Sequence, residues 1–414
     1  MSLLDRITSW LTPAKPLSAE MLHYQTPPEA DQQYRLHLRI ENDGRGLLVV
    51  NASTVLHLNQ TATEYARLLI LGKDEEEAAE TIADRYHVNR ERAKEDFNEL
   101  KDHILTLATT VDLDPVTYLN MERAEPFSAE TTAPYRVDLA LTYVIDESGT
   151  LDPEARRRVE EELSTEGWKV ALENLWNRGV PHVCFTGGEP TLRDDLVELI
   201  QYAEEQGMVS GLLTNGRKLA DQAVMDELLL SGLDHVQFTL TSHLADVHDA
   251  TVGVEGAWEK TDQGLKNAIA GDIYVVVHVV VTPENAEMIE ETIIYLDEQD
   301  VPAVALSAPL RTAETDEEAA EMKEALERAE EAAHRHGLTL VWDLAAPYSR
   351  VNPVEVEGDL EPERVIRQYL YVEPDGDVLP AQGYNVVLGN LLSDPWHNIW
   401  DHPERKKLVE RTAS

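Results

Sequence analysis

HVCFTGGEPTLRDDLVELIQYAEEQGMVSGLLTNG, residues 182–216, is the stretch whose reading decides the fold. An apolar run, HVCFTG, ends in paired glycines, and a helical pattern runs from about Asp194 to Gln206. A second apolar run, VSGLLT, then stops at Thr214-Asn215-Gly216. Two strands joined by a helix of this length run parallel, because the helix carries the chain back to the starting edge. The same unit repeats outward. VDLALTYV (137–144) comes first, followed by a helix from Ser164 to Arg178. HVQFTLT (235–241), YVVVHVVVT (274–282), AVALSA (303–308) and TLVWDL (339–344) continue the series. Near-continuous Val, Leu and Ile means a sheet covered on both faces. Six or seven such units predict an α/β fold, a partial or closed (β/α) barrel over residues 135–344. Its ligand site then lies just after the strands, at Tyr143–Asp146, Thr186–Pro190, Thr214–Gly216, Thr241–His243, Thr282 and Ser307–Pro309.

The flanks read differently. Residues 34–58 hold short extended runs around the turn-like Asn42-Asp43-Gly44, and three helices follow. The first is expected to start at a capping box, Thr61-x-x-Glu64, the second at Asp74, and the third at Asn89 with Ala93, Phe97, Leu100, Ile104 and Leu107 as its apolar stripe. Residues 34–108 are thus a small winged-helix-like α+β domain. Before it, residues 1–33 form an N-terminal amphipathic segment, whose MSLLDRITSW reads as a short helix rather than a secretory signal. Proline-bearing residues 109–134 are a linker. Residues 345–414 form an extension with a hairpin-like YLYVEPDGDVLP and a last amphipathic helix. The acidic helix from Asp316 to His336 keeps one stripe, Met322, Leu326, Ala329 and Ala333, for the core, and the rest is a solvated face.

Composition narrows the function. The chain has 414 residues, 43% of them hydrophobic, enough for a sizeable core. No apolar run is long enough to span a membrane. Cys184 is the single cysteine, so a disulfide framework is excluded and the cytoplasm is the default compartment. A formal charge of −43 argues against nucleic acid, whose phosphates require Lys and Arg. The acidic excess comes with few lysines, a pairing that fits either a high-salt habitat or an ordinary acidic protein.

Gly187-Gly188-Glu189-Pro190 carries the chemical signal. Glycines let backbone turn and approach a ligand, Glu189 offers a carboxylate to an ammonium group, Pro190 fixes the exit, and Asp194 can cap the next helix. A plain tight β-to-α turn is the competing explanation. On this strand end the segment resembles the radical SAM superfamily, whose GGEP motif binds the amino group of S-adenosylmethionine. The resemblance implies that cofactor, with Gly187, Gly188, Glu189, Pro190, Thr214 and Asn215 as its binding residues. It continues through the Thr214-Asn215-Gly216 turn, through His248, Asp249 and Gly253 after strand four, and through Asn285 after strand five. The tail resembles a SPASM-type extension at Asp375-Gly376, Pro380, Gly389-Asn390 and Ile399-Trp400, and LHLNQTATEYARLL (56–69) resembles PqqD-like peptide-recognition domains. Together these likenesses cover about residues 34–108 and 135–402.

The departures bear on activity. Active members carry Cys-x₃-Cys-x₂-Cys after the first strand to hold a four-iron four-sulfur cluster. Here those positions fall near Ile145, Gly149 and Asp152, and Ala381 stands where the SPASM pattern has a cysteine. Thiolates are what such clusters require, so this sequence does not support the cluster. Cys184 reads as a small core residue. The loop 146–165 is charged, with an Arg156-Arg157-Arg158 run that is either a solvated helix or a docking spot. Three readings stay open. The first is a cluster-less peptide- or partner-binding accessory protein of a peptide-modification or cofactor-maturation pathway, working through residues 34–108, alone or beside an intact radical SAM paralogue. The second is a cluster-independent enzyme that keeps S-adenosylmethionine. The third is a metal-dependent hydrolase built on His243, His248, Asp249 and His278. No catalytic residue is assigned, and no metal ligand under the first two readings.

Overall fold

The structure, a computed structural model, describes residues 14–27, 30–51, 54–110, 131–146, 161–309, 313, 315–341 and 369–411. The expected N-terminal helix, most of the linker, Gly149, Asp152 and the Arg156–Arg158 run lie outside them. The chain divides into two units, Met1–Thr132 and Ala133–Ser414.

In the first unit β1 (Glu20–Gln25), β2 (Arg35–Ile40), β3 (Gly46–Val50) and β4 (Thr54–Leu58) form an antiparallel meander in chain order. Leu36, Leu38, Ile40, Leu48, Val50, Leu56 and Leu58 pack against Ala66, Ile104 and Leu107 of the helices. Those helices are α1 (Gln60–Ile70), α2 (Glu75–Tyr86) and α3 (Arg90–Thr109). Asp74 and Asn89 cap α2 and α3 as the pattern predicts. The capping box at Thr61 does not form. Asn59 caps α1 by accepting from the Ala62 N–H, and Glu64 is instead buried and paired with Arg85, Nε to Oε2 2.7 Å. Strand β1 is a second difference, because it lies inside the segment expected to be amphipathic and covers the outer edge of β2, with Leu22 opposite Leu38. Within residues 34–58, β4 is therefore the outer strand.

The second unit bears out the α/β reading. β5 (Arg136–Thr142), β6 (His182–Gly187), β7 (Val209–Thr214), β8 (His235–Leu240), β9 (Tyr274–Val280), β10 (Ala303–Ser307) and β11 (Thr339–Leu340) lie side by side in chain order, each pair parallel. Between them run α4 (Thr165–Asn177), α5 (Leu196–Gln206), α6 (Gln222–Leu230), α7 (Ala245–Val252), α8 (Ala257–Ala270), α9 (Ile289–Glu298) and α10 (Asp316–His336). Beyond β5 the tail adds β12 (Tyr369–Val372), parallel to it, then β13 (Asp377–Leu379) and β14 (Gly389–Asn390), both antiparallel. Since β12 takes the β5 edge, the sheet stays open among the described residues, a partial barrel. Two short helices, α11 (Trp396–Trp400) and α12 (Pro403–Arg411), end the described chain.

Side chains of a strand alternate between its faces, and here the faces differ in kind. Val137, Leu139, Leu141, Val183, Phe185, Leu212, Val236, Phe238 and Val277 join Trp168, Leu172, Leu199 and Met322 from the helices in one core. Each fully buried side chain of this size stabilises by about 1.5–3 kcal/mol. The alternate positions mix polar groups, among them Arg136, Asp138, His182, His235, Gln237, His278 and Ser307, with small or apolar ones such as Ala140, Cys184, Gly211, Val276, Ala303 and Ala305. Asp194 does not cap α5. Asp195 holds the cap position without a capping bond, and its carboxylate accepts from Thr165 Oγ1 at 2.6 Å and pairs with Arg193 at 2.7 Å.

Candidate functional site

At the C-terminal ends of β5, β6 and β7 the three connecting turns are tied together. The Gly188 N–H donates to the Thr142 carbonyl at 2.8 Å, and the Glu189 N–H to the Val144 carbonyl at 2.7 Å. A Cβ on Gly187 would lie 2.2 Å from the Thr142 oxygen, and one on Gly188 would lie 2.2 Å from the Val144 oxygen. Gly187 also has φ +112°, which side-chain-bearing residues rarely adopt. The close approach that demands these glycines is thus to the neighbouring strand of the same chain.

Glu189 is 2% exposed. Its Oε1 accepts from the Thr191 N–H (3.1 Å), Thr191 Oγ1 (2.6 Å) and Thr214 Oγ1 (2.7 Å), and its Oε2 accepts from the Asn215 N–H (2.7 Å). All four donors are neutral. Pro190 begins a 3₁₀ turn that brings Thr191 round to the carboxylate. Thr214 Oγ1 in turn accepts from the Gly216 N–H at 3.0 Å, and Asn215 Oδ1 accepts from the Arg217 N–H at 3.0 Å. The Arg217 guanidinium reaches back to the Ile145 carbonyl at 3.3 Å. Gly187, Gly188, Glu189, Pro190, Thr214 and Asn215 therefore form one hydrogen-bonded cluster, centred on a carboxylate.

Further groups at this end were not singled out in the sequence. Glu373, 3% exposed, follows β12 and accepts from the Tyr143 hydroxyl, whose ionisation is pushed far above its ordinary range by burial and then by Tyr371 and Glu373. Glu162 accepts from Thr142 Oγ1 at 2.7 Å and faces Arg193 at 3.5 Å. Glu373 became visible only once β12 paired with β5, since a parallel partner puts its own C-terminal end at the same mouth.

The histidines after strands four and five do not gather. His248 Nδ1 accepts from the Thr241 N–H at 3.2 Å, and burial holds its pKa at about 4. His243 Nδ1 faces Thr292 Oγ1 at 3.0 Å. Asp249 accepts from the Gly256 N–H (2.6 Å) and the Trp258 N–H (2.8 Å). His278 Nε2 lies 2.7 Å from Ser307 Oγ, and its pKa too is held at about 4 by burial. These groups serve local turns and pairs, which tells against the third reading, the metal-dependent hydrolase. Among the described residues, side chains with metal-ligand spacing occur elsewhere, at His182, Cys184 and His235.

Comparison with known proteins agrees with this architecture. Residues 145–296 match the family described as the Radical SAM superfamily. The chain is 30% identical over 209 residues to Fe-coproporphyrin III synthase of Methanosarcina barkeri, a match covering 50% of this chain and 47% of that protein, about half its length. It is 27% identical over 300 residues to PqqA peptide cyclase of Xanthomonas campestris pv. campestris, covering 70% of this chain and 77% of the relative. Streptococcus suis SuiB solved with S-adenosylmethionine superposes with a TM-score of 0.59 at 14% identity, covering 94% of this chain and 90% of SuiB. SuiB with its precursor peptide SuiA gives 0.57 at 15%, covering 90% and 88%. At that identity the superposition speaks for the fold alone, and the likeness to the Radical SAM superfamily rests on the family match at residues 145–296 of the second unit.

Proposed function

We propose that this protein is a cluster-less relative of the radical SAM peptide-modifying enzymes that binds a peptide or partner protein as an accessory of a peptide-modification pathway. One observation carries the reading. The family's iron–sulfur cluster needs several thiolates at the barrel mouth, and the only thiol is Cys184, buried inside β6. Burial pushes that thiol well above its ordinary pKa. The donor set does not fit the cluster, and no step through one is assigned. Two peptide-handling proteins among the relatives, PqqA peptide cyclase and SuiB with its precursor peptide, support the substrate class. For the binding mode, strand addition at the outer edge of β4 (Thr54–Leu58) is the route that the antiparallel sheet offers within residues 34–58. Residues 34–108 take this role as a PqqD-like domain, and residues 345–414 are read as a SPASM-like extension without cysteines.

A second reading, retained S-adenosylmethionine, is favoured by the uneven load on Glu189. Oε1 takes three hydrogen bonds and Oε2 takes one, so Oε2 has room to accept from the ammonium of that cofactor beside Pro190, Thr214 and Asn215. Anaerobic iron and sulfide reconstitution tests the first reading, and a stable brown holoprotein with stoichiometric iron would overturn it. Hydrogen exchange with a candidate precursor peptide, expected to slow the amides of β4, tests the binding mode. Calorimetric titration of S-adenosylmethionine into the wild type and Glu189→Gln decides the second reading.

A further inference from the structure

At the opposite end of the same strands His182, Cys184 and His235 converge. His182 and Cys184 are two apart on β6 and so share its inner face. His235 opens β8, two strands away, and reaches them across β7 at Gly211, which pairs with Cys184 on one side and His235 on the other. The crossing needs a glycine. A Cβ at Gly211 would lie 2.1 Å from His235 Cε1, 2.4 Å from His235 Nε2 and 2.9 Å from Cys184 Sγ. The two ring nitrogens that meet are both Nε2, 2.8 Å apart, and Cys184 Sγ stands 3.5 Å from one and 3.9 Å from the other.

We propose that His182 Nε2, His235 Nε2 and Cys184 Sγ form a divalent-metal site, with Zn²⁺ the ion its donors suit best. Two imidazoles and one thiolate are a borderline-soft set of the kind zinc prefers. Tetrahedral zinc with Zn–N of about 2.0–2.1 Å and Zn–S of about 2.3 Å separates N from N by about 3.3 Å and N from S by about 3.5 Å. The sulfur is already at that separation from one nitrogen. The two nitrogens must part by about 0.5 Å, from a contact that in the metal-free protein is one ring's N–H donating to the other's lone pair. On binding, both rings carry their proton at Nδ1, and Cys184 gives up its thiol proton as the Zn–S bond forms. That proton passes to the Asp138 carboxylate, which accepts the thiol's hydrogen bond.

The surroundings complete the set. Asp138 accepts a hydrogen bond from the Cys184 thiol and is paired through the Arg136 guanidinium, Nε to Oδ1 2.9 Å. Asp138 thus stands beside the sulfur, placed to receive the departing proton. Arg136 lies over the Tyr369 ring, 4.4 Å from its centroid, and its charge favours the thiolate. The site lies about 15 Å from the Glu189 cluster along β6, at about 3.3 Å per residue, so it is independent of the function proposed above.

Co²⁺ is the discriminating probe, because a protein with net charge −43 collects cations on its carboxylates without thiolate ligation. Metal-stripped full-length protein should take up one equivalent of Co²⁺ with a sulfur-to-cobalt charge-transfer band and tetrahedral d–d absorption, both displaced by Zn²⁺. Cys184→Ser should lose the charge-transfer band, and His235→Gln should weaken Zn²⁺ binding at least 100-fold. Circular dichroism of each metal-free variant checks that it still folds. His182→Asn, at a partly exposed position, provides a second variant in case His235→Gln does not. Absence of the charge-transfer band in the wild type, or Zn²⁺ binding unchanged in the folded variants, would overturn the proposal.

Discussion

The two ends of the β6–β7 pair spend their polar groups in opposite ways. At the C-terminal end the groups around Glu189 are taken up by other parts of the chain. Two backbone N–H groups go to Thr142 and Val144, and the Glu189 oxygens accept four hydrogen bonds from Thr191, Thr214 and Asn215. At the N-terminal end the two imidazoles and the thiol face one another over the missing side chain of Gly211. The difference teaches that a motif can persist for reasons of packing. Gly187 and Gly188 are obligatory for the strand-to-turn backbone whether or not a ligand arrives, whereas nothing about folding requires two histidines and a cysteine to meet.

The largest test of that contrast is Gly188→Ala. Its Cβ would have to displace the Val144 backbone, so the second unit should lose about 3–5 kcal/mol, read as a lower urea midpoint for its unfolding. An unchanged midpoint would mean that the glycine serves a ligand after all. Next comes Glu189→Gln, which replaces one acceptor oxygen by a donor amid four donors and should cost about 2–3 kcal/mol even with no ligand present. If stability holds while S-adenosylmethionine binding falls, the carboxylate is a binding group first.

A pH series sharpens the same comparison. His248 and His278 are held at about 4 in the fold against an ordinary 6.5, in both cases chiefly by burial. As pH falls below 6.5 the unfolded chain takes up protons that the folded chain refuses. Stability should therefore decline between pH 6.5 and about 4, by up to about 3 kcal/mol per histidine, and be fully present above 6.5. The loss should shrink in His278→Gln, followed by thermal melts across that window. The smallest effect expected is that of Cys184→Ser without metal. Its hydroxyl keeps Asp138 as an acceptor, so unfolding should shift by about 1 kcal/mol, far less than for Gly188→Ala.

Much of this architecture can be read from residue order, and the misses have identifiable causes. The parallel strands announce themselves because Val, Leu and Phe fill their core face and small or apolar residues take part of the other, which leaves near-continuous apolar runs. Strand β1, EMLHYQ, does not, since an edge strand with alternating exposure needs no apolar run. Asn59 outcompetes Thr61 as a cap by geometry two residues away. The Glu189 cluster is half legible: the motif and the Thr214-Asn215 turn stand out in the sequence, but the donors that hold the carboxylate do not. The His182, Cys184 and His235 group was legible only as far as the two-residue spacing on β6. Its third member depends on which strand lies between, a fact of sheet order that no local pattern records.

The tail strand beside β5 has one more consequence. β12 lays Leu370 and Val372 into the central core and covers a row of β5 N–H and C=O groups that would otherwise face water. Exposed strand edges recruit other chains. A chain cut before Tyr369 would bare both that edge and an apolar slot at once. Its failure would show as concentration-dependent self-association well below the temperature at which it unfolds, so the C-terminal segment guards solubility.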